Sequence, residues 1–115
     1  MVTAQKFRLL CLSFPETVEL PHFELTSFRV SKKIFATVSE EKLRAMLKLS
    51  LVDQSVFCAF DKKLIYPVPG SWGMKGCTYF ELRELKIDIL KDGLTQAYRN
   101  VAPKSLCQNL NLKDV

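Results

Sequence analysis

Three short runs rich in β-branched and aromatic residues, Phe23 to Val30, Ile34 to Val38 and Ala45 to Leu49, follow one another with only a few polar residues between them. Such residues fit a pleated, half-buried surface and lose rotamer freedom in a helix. The first break, Ser31 to Lys33, is of hairpin length, and the second, Ser39 to Lys42, suits a four- or five-residue loop. The three runs are therefore expected to form an antiparallel meander. Its register stays open, because a two-residue and a three-residue turn at Ser31 to Lys33 put opposite strand faces into the core.

The flanking segments supply what would cover that sheet. From Thr3 to Ser13, Phe7, Leu10 and Cys11 recur at helical spacing, and Thr3 can cap the first turn. Pro15 and Pro21 then bracket an extended connection through Glu16 to Glu19. Ser50 is a plausible cap for a helix over Leu51 to Phe60, with Val52, Val56, Phe57 and Phe60 as its apolar stripe. Asp61 and two lysines should end it. Leu64 to Val68 contains Pro67 and reads as an edge strand or irregular chain. After the turn-rich run Pro69 to Gly76, the alternation of Cys77 to Leu82 is that of a strand. Asp88 to Ala102 carries Ile89, Leu90, Leu94, Ala97, Tyr98 and Val101 at helical spacing, with Gly93 weakening it slightly. Pro103 can start a further short helix through Leu110, with Leu106 and Leu110 one turn apart. The expected class is α+β: an antiparallel sheet of a three-strand meander plus one or two further strands, covered by helices on one face.

A chain of 115 residues with 48% hydrophobic and 25% charged residues can bury a core as one domain, residues 1–115, without metal or disulfide staples. Lys6 and Arg8 before Leu9 to Leu12 look faintly like a secretory signal. The apolar run is too short, however, and Pro15 and Glu16 follow at once. No stretch approaches the ~20 apolar residues of a membrane span, so a soluble cytoplasmic protein with no membrane partner is expected. Cys11, Cys58, Cys77 and Cys107 are widely spaced, form no zinc pattern and are expected to be reduced. One histidine and scattered carboxylates offer no metal-ligand spacing, and no Walker or Rossmann spacing points to a nucleotide cofactor.

The formal net charge is +5, and its distribution is uneven. Between Leu25 and Phe80 stand nine cations (Arg29, Lys32, Lys33, Lys42, Arg44, Lys48, Lys62, Lys63 and Lys75) against four carboxylates (Glu40, Glu41, Asp53 and Asp61), so the middle of the chain holds the whole excess. An excess of this kind mildly favours anionic partners.

Read in order, the residues form a familiar series: Pro21-His22-Phe23, Ser27-Phe28-Arg29-Val30, Lys33-Ile34-Phe35-Ala36-Thr37 and Leu47-Lys48-Leu49-Ser50. Pro67-Val68-Pro69-Gly70, Trp72-Gly73, Lys75-Gly76, Thr78-Tyr79, Ala97-Tyr98-Arg99 and Val101-Ala102-Pro103-Lys104 follow. This series resembles the MmcQ/YjbR family from about Phe7 to Leu106. The resemblance implies a fold similar to the frataxin-like CyaY proteins, and a "double wing" layout that led such proteins to be described as DNA-binding. That label rests on structural analogy, which grants a scaffold and not an activity. Two departures stand out. Ser31 and Lys32 occupy a hairpin tip where the family commonly has Gly, implying a longer or strained hairpin. Cys77 stands where the family commonly has Trp, so one aromatic contact near Trp72 is lost. Iron binding in frataxins uses an acidic ridge, whereas this first helix carries Lys6 and Arg8 and no acidic residue, so no iron site is expected.

The sharpest candidate is therefore a nucleic-acid wing, with Arg29, Lys32 and Lys33 approaching phosphates from the first hairpin and Arg44 and Lys48 on the neighbouring strand. The plain reading beside it is a solvated hairpin kept from associating by lysine. A second candidate is the ligand loop Tyr66 to Gly76, in which Trp72 offers a stacking face and Lys75 a cation, with His22, Tyr98 and Lys104 as further members. A long β-connection closing the core would look the same. His22 has no orienting partner or nucleophile in the sequence, so a structural histidine is expected and no catalytic residue is assigned. Tyr98, Arg99 and Lys104 could make a small anion-binding corner or simply pack and solvate. The functional expectation is a non-enzymatic binding module for nucleic acid. The rival is a protein- or small-ligand-binding domain whose basic surface serves solubility.

Overall fold

The computed structural model describes residues 1–108. Helix α1 (Ala4–Leu12) leads into four consecutive strands, β1 (Val18–His22), β2 (Leu25–Val30), β3 (Lys33–Ser39) and β4 (Arg44–Lys48). Helix α2 (Leu51–Phe60), strand β5 (Ile65–Pro67), the single turn α3 (Ser71–Met74), strand β6 (Cys77–Glu81) and helix α4 (Ile87–Val101) complete the domain, followed by a 3₁₀ turn at Lys104–Leu106. All strand pairs are antiparallel, in the order β1-β2-β3-β4-β6-β5. The α+β class with helices over one face is as expected, and both further strands are present.

One strand was hidden by its prolines. Val18 to His22, expected as a bare extended connection, pairs with β2 through Val18↔Arg29, Leu20↔Ser27 and His22↔Leu25. Pro21 is tolerated because β1 is an edge, where a missing N–H breaks no ladder bond. The other edge, β5, carries Pro67, and its Ile65 N–H is engaged by the Asp61 carbonyl at 2.9 Å.

The register left open by the sequence is settled by two devices. The β2–β3 turn has two residues, Ser31 and Lys32, both left-handed at φ +50° and +68°, so the hairpin is strained rather than long. A bulge then lets Arg29 pair with Ile34 and Phe28 with Ala36, leaving Phe35 as the extra residue. Phe35 and Ala36 consequently both reach the core, which strict alternation would forbid. The β3–β4 loop has four residues, within the expected length, and Ser39 pairs with Arg44 across it.

Helix α4 packs on β3 and β4, and α1 on β3. An aromatic cluster locks them: Phe14 stacks on Tyr98 at 4.8 Å between centroids, and Phe35 meets Tyr98 edge-on at 5.4 Å. At Gly93 an added Cβ would lie 3.0 Å from the Phe80 ring and 3.1 Å from Leu47. The glycine that weakens α4 is thus what lets the helix approach the sheet so closely.

Helix α2 is capped by Ser50, which accepts from the Asp53 N–H, and Asp61 closes it, as expected. Of the expected apolar stripe only Phe57 turns inward. Val52, Val56 and Phe60 are 74%, 62% and 66% exposed, while Gln54 is buried and Phe57 packs near Phe80. The physical reason is Gln54. Its amide lies within hydrogen-bond distance of the Gly73 carbonyl (2.9 Å), the Cys77 carbonyl (3.2 Å) and the Thr78 hydroxyl (3.1 Å). Those acceptors would be costly to bury without a donor, and they draw the polar side of the helix inward. Of the short helix expected from Pro103 to Leu110, the 3₁₀ turn is observed, and Leu110 lies outside the described residues.

Candidate functional site

Strand alternation divides the sheet into two unlike faces. Phe28, Val30, Ala45, Leu47 and Phe80 point to the helices and are buried. Ser27, Arg29, Thr37, Arg44, Met46, Lys48, Cys77, Tyr79 and Glu81 alternate with the core-facing positions and lie on the opposite face, which among the described residues neither α1 nor α4 covers and where the single turn α3 sets Trp72 beside β6.

That uncovered face is hollowed. Leu25, Ile34, Met46, Val68, Trp72 and Tyr79 line a cavity of about 390 Å³, with Thr37, Lys48, Cys77 and His22 also on its wall. The volume falls in the usual range for a ligand pocket, as does a mostly apolar wall with a few polar groups. Trp72 is held at the rim by its neighbours. A Cβ on Gly73 would sit 1.9 Å from the Val68 carbonyl oxygen, so only glycine allows α3 to fold back this tightly, and Gln54 anchors the Gly73 carbonyl from α2.

The two ends of the face differ in charge. At one end, the β2–β3 tip carries Lys32 and Lys33, Arg29 lies one pair inward, and Lys48 pairs with Cys77 just after Lys75. Lys48 donates to the Lys75 carbonyl, and the Lys75 ammonium lies 5.6 Å from the centre of the Trp72 ring. Burial pushes the Cys77 thiol up, while Lys48 and Lys75 pull it back down, so both cations act on one point. Arg29, Lys32, Lys33, Lys48, Trp72 and Lys75 thus share one end of the sheet.

The other end is neutralised. Arg44 bonds Glu81 at 3.0 Å and lies 4.8 Å over the Tyr79 ring. Tyr66 donates its hydroxyl to the same Glu81 carboxylate, and burial together with that carboxylate holds the hydroxyl above the ordinary tyrosine range. Arg44 was grouped with the wing on sequence. The register places it at the far end of β4 from Lys48, already paired.

His22 lines the hollow with its ring edge-on to Phe23 at 4.9 Å. It stands at the Arg44 end, about 13 Å of strand away from Cys77 at roughly 3.3 Å per residue, so the two do not form a nucleophile pair. Tyr98 and Lys104 are not brought to the Trp72 loop. Tyr98 is fully buried on the helical side and donates to the Pro15 carbonyl at 2.7 Å, while Lys104 is exposed in the 3₁₀ turn. Among the described residues, no three His, Cys, Asp or Glu side chains are grouped as a metal site requires, and no helix is long and apolar enough to cross a membrane.

Sequence reasoning missed the apolar members of the hollow outside the loop Tyr66 to Gly76, namely Leu25, Ile34, Met46 and Tyr79. The available signal was that β4 and β6 are apolar on both faces at Met46 and Tyr79, which a sheet with one solvated face does not need. It also missed Phe23, 93% exposed at φ +59° on the β1–β2 tip.

No family model matches the chain, and no curated protein matches it in sequence. In three dimensions it is similar to the crystal structure of protein DR2400 of Deinococcus radiodurans, which carries a DUF419 domain, with a TM-score of 0.73 at 21% identity. The match covers 85% of this chain and 77% of that one, and it establishes a shared α+β fold.

Proposed function

We propose that this chain is an MmcQ/YjbR-type domain acting as a non-enzymatic nucleic-acid-binding module, with the Lys32 end of its uncovered sheet face as the contact surface. The observation that carries the reading is the gathering of Arg29, Lys32, Lys33, Lys48 and Lys75 at that end, while Arg44 is neutralised elsewhere. Cations on a hairpin tip and the adjacent strand ends suit a phosphate chain, because each phosphate neutralised releases counterions. The hairpin is two residues long at its turn, narrow enough to reach into a groove or along a strand.

Fluorescence anisotropy with labelled oligonucleotides across a salt series tests this. Binding should weaken linearly on a log–log plot of affinity against salt, and the double reversal Lys32→Glu, Lys33→Glu should reduce that slope by about 2. Absence of binding at low salt would sink the proposal in favour of a protein- or small-ligand-binding domain.

A further inference from the structure

We infer that the hollow on the uncovered face seats an unstacked base, so that the ligand is single-stranded nucleic acid rather than duplex; this rests on the nucleic-acid reading and narrows it. A duplex is a convex rod that offers charged phosphates and stacked, inaccessible base faces. A concave, largely apolar wall of about 390 Å³ has nothing to gain from such a surface. A splayed base has two apolar faces to bury, and proteins that read single strands supply aromatic and aliphatic walls for them beside a basic track.

Both parts are present and correctly related. Trp72 is 64% exposed at the rim with Lys75 over its ring, so one aromatic face is accessible and flanked by a cation. Met46, Ile34 and Tyr79 form the wall behind it, and Tyr79 is held in place by Arg44 on one side and the Tyr66 ring edge at 5.7 Å. Lys48 lies on the wall of the hollow and donates to the Lys75 carbonyl, so both cations stand beside a seated base, and Arg29 with Lys32 at the hairpin tip lies at the same end of the sheet. The lining of the hollow includes no carboxylate.

The experiment compares a labelled 15-nucleotide DNA strand and its duplex at low salt, reading anisotropy together with the fluorescence of Trp72, the only tryptophan in the chain. The strand should bind at least tenfold more tightly than the duplex and quench Trp72. Met46→Arg adds a positive charge while filling the hollow. It should nevertheless weaken strand binding severalfold, with circular dichroism confirming an intact fold, whereas Trp72→Ala, at an exposed position, should reduce the strand's advantage over duplex. Equal affinity for strand and duplex with a normal salt slope, or tighter strand binding by Met46→Arg, overturns the inference and leaves the nucleic-acid reading standing. No binding of either form overturns both.

Discussion

The side-chain amide of Gln54 reaches the backbone carbonyl of Gly73 at 2.9 Å, tying a buried polar residue of α2 to the turn that presents Trp72. The same amide faces the Cys77 carbonyl and the Thr78 hydroxyl, so one residue holds α3 and the start of β6 together. Gln54→Leu keeps the volume and strips the buried acceptors of their donor. It should cost about 2 kcal/mol of stability in urea denaturation. Trp72 emission should shift in the folded variant, since its supporting turn is loosened. An unchanged midpoint and spectrum would mean the contact is incidental.

The orientation of α2, with Phe57 inward and both valines outward, gives a sharp contrast between neighbours. Val52→Lys and Val56→Lys alter exposed positions and should each leave stability within ~0.5 kcal/mol of the parent. Phe57→Ala, which removes a ring packed 5.9 Å from Phe80, should cost about 3 kcal/mol. Had the stripe read from the sequence been the buried one, the valine substitutions would be severe. Thermal melts of the three variants decide between the two orientations.

The tip of the β2–β3 hairpin holds Ser31 and Lys32 in the left-handed region, at φ +50° and +68°. Asn and Gly adopt that geometry with little strain. The double substitution Ser31→Asn, Lys32→Gly should therefore raise stability by about 1 kcal/mol, or about 4 °C in Tm. A fall in Tm would show that the observed turn is not the one adopted in solution.

Alkaline pH should destabilise the domain through its buried thiols. Cys11 is fully buried, and burial, with a smaller contribution from Glu19, pushes its thiol well above the ordinary range. The folded state thus holds the proton that the unfolded chain releases near pH 8.5. The stabilisation is complete below that pH and is lost as pH rises toward the folded value. Burial raises the Tyr98 hydroxyl as well, extending the effect to higher pH. Urea midpoints between pH 7 and 10.5 should fall steadily above about pH 8.5. A flat profile would contradict the burial of Cys11.

Elements governed by local chemistry were legible in the sequence. Thr3 and Ser50 cap the helices they were expected to cap, and the alternation of Cys77 to Glu81 is a strand because side chains there meet different environments on the two faces. What depended on distant partners was not. Pro21 argues against a strand until one knows that Val18 to His22 forms an edge. The burial of Gln54 depends on carbonyls 19 and 23 positions away. Within the candidate site, Lys32, Lys33 and Lys48 could be named from charge alone. Separating Lys48 from Arg44, and finding the wall formed by Met46 and Tyr79, required the register that pairs Arg44 with Glu81 and Lys48 with Cys77.

The prolines of the two outer strands limit how this domain can meet other molecules. A peptide adding itself to a sheet needs a run of free N–H and C=O groups along an edge. Pro21 interrupts one edge, and Pro67 together with the engaged Ile65 N–H interrupts the other. Strand addition, whether by a partner's tail or by a second copy in a growing fibril, is thus discouraged at both margins. Recognition is left to side chains on the faces, where affinity and selectivity can be changed one residue at a time.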